Sequence, residues 1–234
     1  MNDQITELQS QTTIPMLMAK GLARIVSAIF HPLLMPTYML ALLLTVNPYL
    51  FGVSGLSDVV SQLLLLRIFL STFFIPIIAI SMLKLTGLAQ TYELLDRRER
   101  IGPYIITGIF YLWMFRNFLQ NPQIPTAYTT FMLGCTIALF VAFFINIFSR
   151  ISAHTVGMGA LVGMVLITLW QFSYDTFRLG SWDLNMKPVL IVTILLAGLV
   201  GTARLSLHKY EITDLYGGYI IGLFAQFIAL RFLF

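Results

Sequence analysis

The chain has 234 residues, of which 58% are hydrophobic and only 10% charged, and its mean hydropathy is +0.86. That composition excludes an ordinary soluble domain and describes an integral membrane protein, an all-α polytopic bundle of transmembrane helices. The net charge of +4 reports on loops and orientation rather than on a nucleic acid partner, and a single cysteine, Cys135, inside an apolar run excludes a disulfide framework or a thiolate metal cluster.

Residues 1–24 read as a polar N-terminal segment and 25–234 as one transmembrane domain. The first apolar run, about Ile25 to Thr45, is too long for the core of a cleaved signal peptide and shows no small-residue cleavage site, so it is expected to be retained. Pro32 and Pro36 are expected to kink it. His31, in F-H-P-L-L-M-P, has two readings. Either its imidazole bonds a carbonyl freed by Pro36, or it does chemistry, which requires it to face the bundle near the charged end.

A turn-rich connector, N-P-Y-L-F-G-V-S-G-L-S-D, leads to a second span from about Gln62 to Leu83, in which Arg67 is close enough to the start to snorkel. Segment 84–102 is the most charged, with Glu93 and the run D-R-R-E-R from Asp96 to Arg100. The third apolar stretch is uninterrupted only from Tyr104 to Phe115, before Arg116 and Asn117, and crosses if that end snorkels. The fourth span covers about Ala127 to Ile147, and S-R-I-S-A-H-T leads into the fifth, about Thr155 to Phe172. A polar loop with Asp175, Arg178, Asp183 and Lys187 precedes the sixth, about Pro188 to Thr202, and the seventh runs from about Leu215 onward with Arg231 near its exit. The expectation is therefore about seven spans. Gly159 with Gly163, and Gly218 with Gly222, are small-xxx-small pairs that would draw two of the helices together.

Two spans separate Arg100 from His154 and two more separate His154 from Arg204, so all three charged segments should emerge on one face. Between the last two spans lies A-R-L-S-L-H-K-Y-E-I-T-D-L-Y-G-G, from Ala203 to Gly218. Arg204, Lys209, Glu211 and Asp214, with His208 and Tyr210 among them, are costly there unless they have a function.

Those residues carry a resemblance. I-S-A-H-T from Ile151 to Thr155, opening an apolar helix, resembles the P-S-G-H element of the type-2 phosphatidic acid phosphatase superfamily, which includes the vanadium haloperoxidases. Arg204, Asp214 and Gly218 are similar in spacing to its third element, S-R-x5-H-x3-D followed by Gly, and D-R-R-E-R-I-G-P from Asp96 to Pro103 sits where K-x6-R-P is expected. Segments 96–103, 150–155 and 203–218 thus become the motif segments of a phosphatase-like domain.

The resemblance implies hydrolysis of a lipid phosphate monoester or diphosphate at the membrane surface. A phosphoryl group in transit spreads charge over its equatorial oxygens, and fixed cations with backbone N–H groups stabilise it. Arg100 and Arg204 would be bidentate donors, with Arg97 or Arg98 as a further cation where Glu93 stands at the position of the family's lysine. Ser152 and the N–H groups at the start of the fifth helix would seat the anion. His154 would protonate the leaving oxygen, and Asp214 would orient the nucleophilic histidine.

The nucleophile position itself, four residues before Asp214, is Tyr210, and Ile151, Ala153 and Ala203 replace the proline, glycine and serine of the family elements. His208 lies two residues early, about 200° round a helix from the face that Tyr210 and Asp214 would share. Three readings stay open: His208 as nucleophile paired with Glu211, Tyr210 with a depressed pKa, or phosphate binding without turnover. A fourth is a solvated, ion-paired face with no site at all.

No metal or other cofactor is implied, since the family uses cations of the protein and neither His154 nor His208 has a ligand set around it. The expected partners are a lipid phosphate or polyprenyl diphosphate and membrane lipids, in a bacterial inner membrane. Counting every Lys and Arg except the snorkelling Arg67 gives nine on the motif face against four opposite, which favours a cytoplasmic site; without Arg100, Arg150, Arg204 and Lys209 the count is five to four, and orientation stays open. A small transporter, the rival reading, would gather its polar residues near the midplane rather than at helix ends.

Overall fold

The computed structural model describes residues 18–85, 97–173, 176–179, 182–207 and 210–234. Seven rods run through it: α1 (Met18–Val46), α2 (Val59–Leu85), α3 (Arg97–Gln120), α4 (Thr126–Phe148), α5 (Ala153–Phe172), α6 (Met186–Ser206) and α7 (Ile212–Leu233). All but α3 are both long and apolar enough to cross a membrane, so six spans meet both criteria where the sequence reading expected seven. The difference lies in Arg116, Asn117 and the basic start of α3, which dilute its apolarity. Geometrically α3 is still a full rod of the bundle. Its start touches the chain just beyond the end of α4 through Arg100 and Ile151, and its end joins the start of α4 through a loop at 121–125, so it lies antiparallel along the whole of α4.

Each helix is bounded as its residues dictate. In α1 the regular helix stops at Ile29, because Pro32 offers no N–H, and resumes at Met35 after a single 3-10 turn, Pro32–Leu34. The His31 imidazole caps that turn by accepting from the Leu33 N–H through Nδ1 at 3.3 Å. It does not bond a carbonyl freed by Pro36, because the Pro32 carbonyl already accepts from Met35. In α2 a wide π-type turn at Leu70–Phe74 precedes Pro76, whose ring would otherwise press on the carbonyl four residues back. Helix α1 also starts by Met18, earlier than the first apolar run implied.

The polar loop before α6 is partly ordered as an antiparallel hairpin, β1 (Phe177–Leu179) with β2 (Trp182–Leu184), in register Phe177 to Leu184. Its apolar anchor is Phe177, which is buried in the main core.

Helix α5 is the hub: 61% of its apolar window is buried, against 22% for α2, which lies at the periphery. The glycine pairs account for this. A Cβ on Gly163 would lie 3.0 Å from the Leu223 carbonyl, and one on Gly159, Gly218 or Gly222 would collide with Tyr219, Thr155 or Val156 respectively. The α5–α7 seam is therefore backbone on backbone. Because α5 carries the second motif segment at its start and α7 the later part of the third, this seam sets the distance between those two parts.

Candidate functional site

The three charged segments meet at one end of the bundle. Arg100, in the first turns of α3, is buried and donates from Nη1 to the Ile151 carbonyl at 3.5 Å, which places it beside the chain leading into α5. Arg204, in the last turn of α6, is buried too. The two guanidinium carbons lie 5.3 Å and 5.2 Å from the centroid of one ring, Tyr210. Helices remote in sequence therefore bring two cations to a single aromatic side chain.

Arg204 has a further feature. Its Nε is buried and has no hydrogen-bond partner, although a buried guanidinium N–H normally finds one. Ser152 repeats the pattern: it is the N-cap residue of α5, its hydroxyl makes no capping bond, and its Oγ is fully buried without a partner. Ser152 would ordinarily satisfy an N–H of the first turn. An unused guanidinium donor and an uncapped helix start, related through Tyr210 and the Arg100–Ile151 bond, are the kinds of group that seat an anion.

His154, in the first turn of α5, directs Nε2 to the Ser27 carbonyl of α1 at 3.0 Å. A carbonyl only accepts, so Nε2 carries the proton in this arrangement. The His31 ring stands edge-on to His154 with centroids 5.6 Å apart and lies within electrostatic range of Arg204. His31 therefore faces the bundle at its charged end, the placement its chemical reading required. Contacts join Ser27, His154 and His31 on one side and Arg204, Tyr210, Arg100 and Ile151 on the other, and the field of Arg204 at His31 relates the two sets.

Asp214 is placed differently. Its Oδ2 accepts from the Glu211 N–H at 3.0 Å while the Glu211 carboxylate accepts from the Asp214 N–H, a reciprocal capping box at the start of α7. Tyr210 does not share a helical face with it, since α6 ends at Ser206 and Tyr210 lies in the connecting loop. Tyr210 and Asp214 therefore share no helix on which a 200° offset could be counted. His208 lies outside the described residues, as does Asp96 of the first motif segment. Arg97 opens α3, but its side chain is not among those described.

Two participants had no motif to announce them. Tyr104 follows Arg100 by one helical turn and is in electrostatic range of both Arg100 and Tyr210; the four-residue spacing was the available signal. Ser27 contributes a backbone carbonyl, for which sequence carries no signal. Among the described residues no three metal-ligating side chains gather.

The ring of Tyr210, rather than its hydroxyl, holds the two arginines. Tyr210→Phe should leave thermal stability within about 0.5 kcal/mol of wild type, and Tyr210→Ala should cost about 1–3 kcal/mol through two lost cation–π contacts, as read from Tm shifts in detergent. Equal loss in both variants would move the role to the hydroxyl. Comparison with family models, with curated proteins and with solved structures finds no match for this chain.

Proposed function

We propose that this chain is a membrane-embedded lipid phosphate hydrolase of the phosphatase kind, seating a phosphate monoester or diphosphate at the charged end of the bundle, in a bacterial inner membrane. The observation that carries the reading is the convergence of Arg100 and Arg204 on one ring with the Arg204 Nε buried and unpartnered. Guanidinium forks match phosphate oxygens, and in a site with little water they stabilise charge in transit more strongly than they would at an open surface.

In the turnover form, a nucleophile of the α6–α7 loop, His208 or Tyr210, attacks phosphorus. The bond from phosphorus to the leaving oxygen breaks, and that oxygen takes the His154 proton. Water then cleaves the phospho-enzyme bond and releases phosphate. Because the Ser27 carbonyl holds the Nε2 proton, His154 must leave that carbonyl for the step to proceed.

A second reading, binding without turnover, is favoured by two observations. Tyr210 stands at the nucleophile position with its ring against both cations, and the Asp214 carboxylate is engaged in capping rather than in orienting a base. Phosphate release from a short-chain lipid phosphate by wild type, His154→Ala, His208→Ala and Tyr210→Phe separates the two. Turnover predicts a fall of about 100-fold or more for His154→Ala and for whichever loop variant removes the nucleophile. Equal rates in all four would exclude these residues as catalysts.

A further inference from the structure

Helix α1 reaches the charged end of the bundle although no motif segment lies in it. Its Ser27 carbonyl accepts from His154 Nε2, and its His31 ring stands edge-on to His154 and to Phe73, with centroids 5.6 Å and 6.0 Å away. Arg204 acts on His31 through its field.

The one hydrogen bond that His31 makes decides its protonation. Nδ1 accepts from the Leu33 N–H at 3.3 Å, so it carries no hydrogen; the ring is neutral and its single N–H is at Nε2. Among the described residues nothing accepts that N–H in a hydrogen bond. Ser27, four residues earlier, repeats the pattern. A helical serine or threonine can bond the carbonyl four residues back, as Thr45, Thr72 and Ser81 do. The buried Ser27 hydroxyl has no partner among the described residues. Helix α1 thus brings spare donors to the end where the Arg204 Nε is spare too.

A neutral donor suits that end. Arg100 and Arg204 already bring two positive charges to one ring, and a further cation would repel both. An N–H held neutral adds a hydrogen bond to an anion without adding charge, and such a bond is about twice as strong as one to a neutral acceptor such as water. The anion that the guanidinium groups attract is the acceptor this N–H lacks.

We infer that the His31 Nε2–H donates to the phosphate seated by Arg100 and Arg204, which makes His31 a binding residue supplied by a fourth segment of the chain. This rests on the phosphate reading above and adds a residue to its site. His31 takes no part in proton transfer: a neutral ring that gave up its Nε2 proton would be left as an imidazolate, and the Leu33 N–H occupies the nitrogen that would have to be protonated first. The proton for the leaving oxygen stays with His154, while His31 holds the phosphate.

Two substitutions separate the ring's two nitrogens. Asparagine places Oδ1 where Nδ1 stands and is a strong cap, but has nothing at the reach of Nε2; glutamine places an N–H donor at that reach and gives up the cap. Affinity for inorganic phosphate, by calorimetry on the purified full chain in detergent, and Tm are measured for wild type, His31→Asn, His31→Gln and Arg204→Gln. His31→Asn should hold its Tm within about 2 °C and weaken phosphate binding by about tenfold or more. His31→Gln should lose about 2–4 °C and keep its affinity within about threefold. Unchanged affinity in His31→Asn, or affinity that falls in step with Tm in both variants, would overturn the inference. Nitrogen NMR of histidine-labelled wild type needs neither His31 variant to fold: phosphate should shift the His31 Nε2 signal, assigned by comparison with His154→Ala and His208→Ala, and leave Nδ1 in place, and an unmoved Nε2 signal would overturn the inference as well. Wild type that binds no phosphate overturns both the inference and the reading it rests on. Phosphate binding that Arg204→Gln weakens and His31→Asn does not overturns the inference alone.

Discussion

Replacing Gly222 with leucine is expected to leave no folded, monodisperse protein after detergent extraction. A Cβ at this position would fall on the Val156 carbonyl, 2.6 Å from the Ala160 amide nitrogen and 3.0 Å from the Gly159 carbonyl carbon. All three are backbone atoms of α5, so no rotamer change relieves the clash and the helices must separate. Separation opens the most buried seam of the bundle, at a cost above about 3 kcal/mol, a large share of the stability of most domains. Gly198→Ala is the matched control: nothing lies within 4 Å of its Cβ position on the exposed face of α6. There alanine should be neutral or gain up to about 1 kcal/mol from helix propensity. Size-exclusion profiles and Tm values of the two variants check both halves, and a folded Gly222→Leu protein would show that the seam is not what holds α5 to α7.

The second large effect is on ligand affinity. Arg204→Gln should weaken binding of decyl phosphate by about tenfold to a hundredfold, the range for hydrogen bonds to charged groups. Stability should not follow. Burying a guanidinium with an unpartnered Nε is itself costly, so a neutral side chain removes that cost while it forfeits the stack on Tyr210, and Tm should stay within about 4 °C of wild type. Lost affinity with retained stability marks a residue held for function. If Tm falls and affinity does not, Arg204 is structural.

The spans were legible because membrane helices announce themselves by unbroken apolarity ended by charge. The fourth and fifth are placed within two residues at each end, Thr126–Phe148 and Ala153–Phe172. Helix α3 was harder, since its apolar stretch is uninterrupted only from Tyr104 to Phe115, whereas the helix runs on through Arg116 and Asn117 and starts back at Arg97. The hairpin after α5 was missed because three-residue strands leave almost no alternation to read.

At the site, the meeting of Arg100 with Ile151, and of Arg204 and Arg100 on Tyr210, is the arrangement that counting crossings anticipated. Parity of helices is a topological property, and a sequence carries it. Side-chain partners are not topological. Nothing in the string predicts that His154 reaches the Ser27 carbonyl, or that Asp214 completes a capping box with Glu211, although E-x-x-D ahead of an apolar run is a variant of that signature. Counting His208, Tyr210 and Asp214 on one helix was the misstep, since the chain turns at Leu207 and Glu211 caps a new helix.

In the proposed function Arg100 and Arg204 hold one and the same phosphate. A double-mutant cycle on inorganic phosphate affinity, with Arg100→Gln, Arg204→Gln and the pair, addresses it most directly. Shared contact with one anion predicts that each single variant weakens binding by at least about tenfold and that the two effects fail to add by about 0.5–3 kcal/mol. Effects that add within about 0.5 kcal/mol, or no loss in either single variant, would mean that the two guanidinium groups do not grip a common ligand.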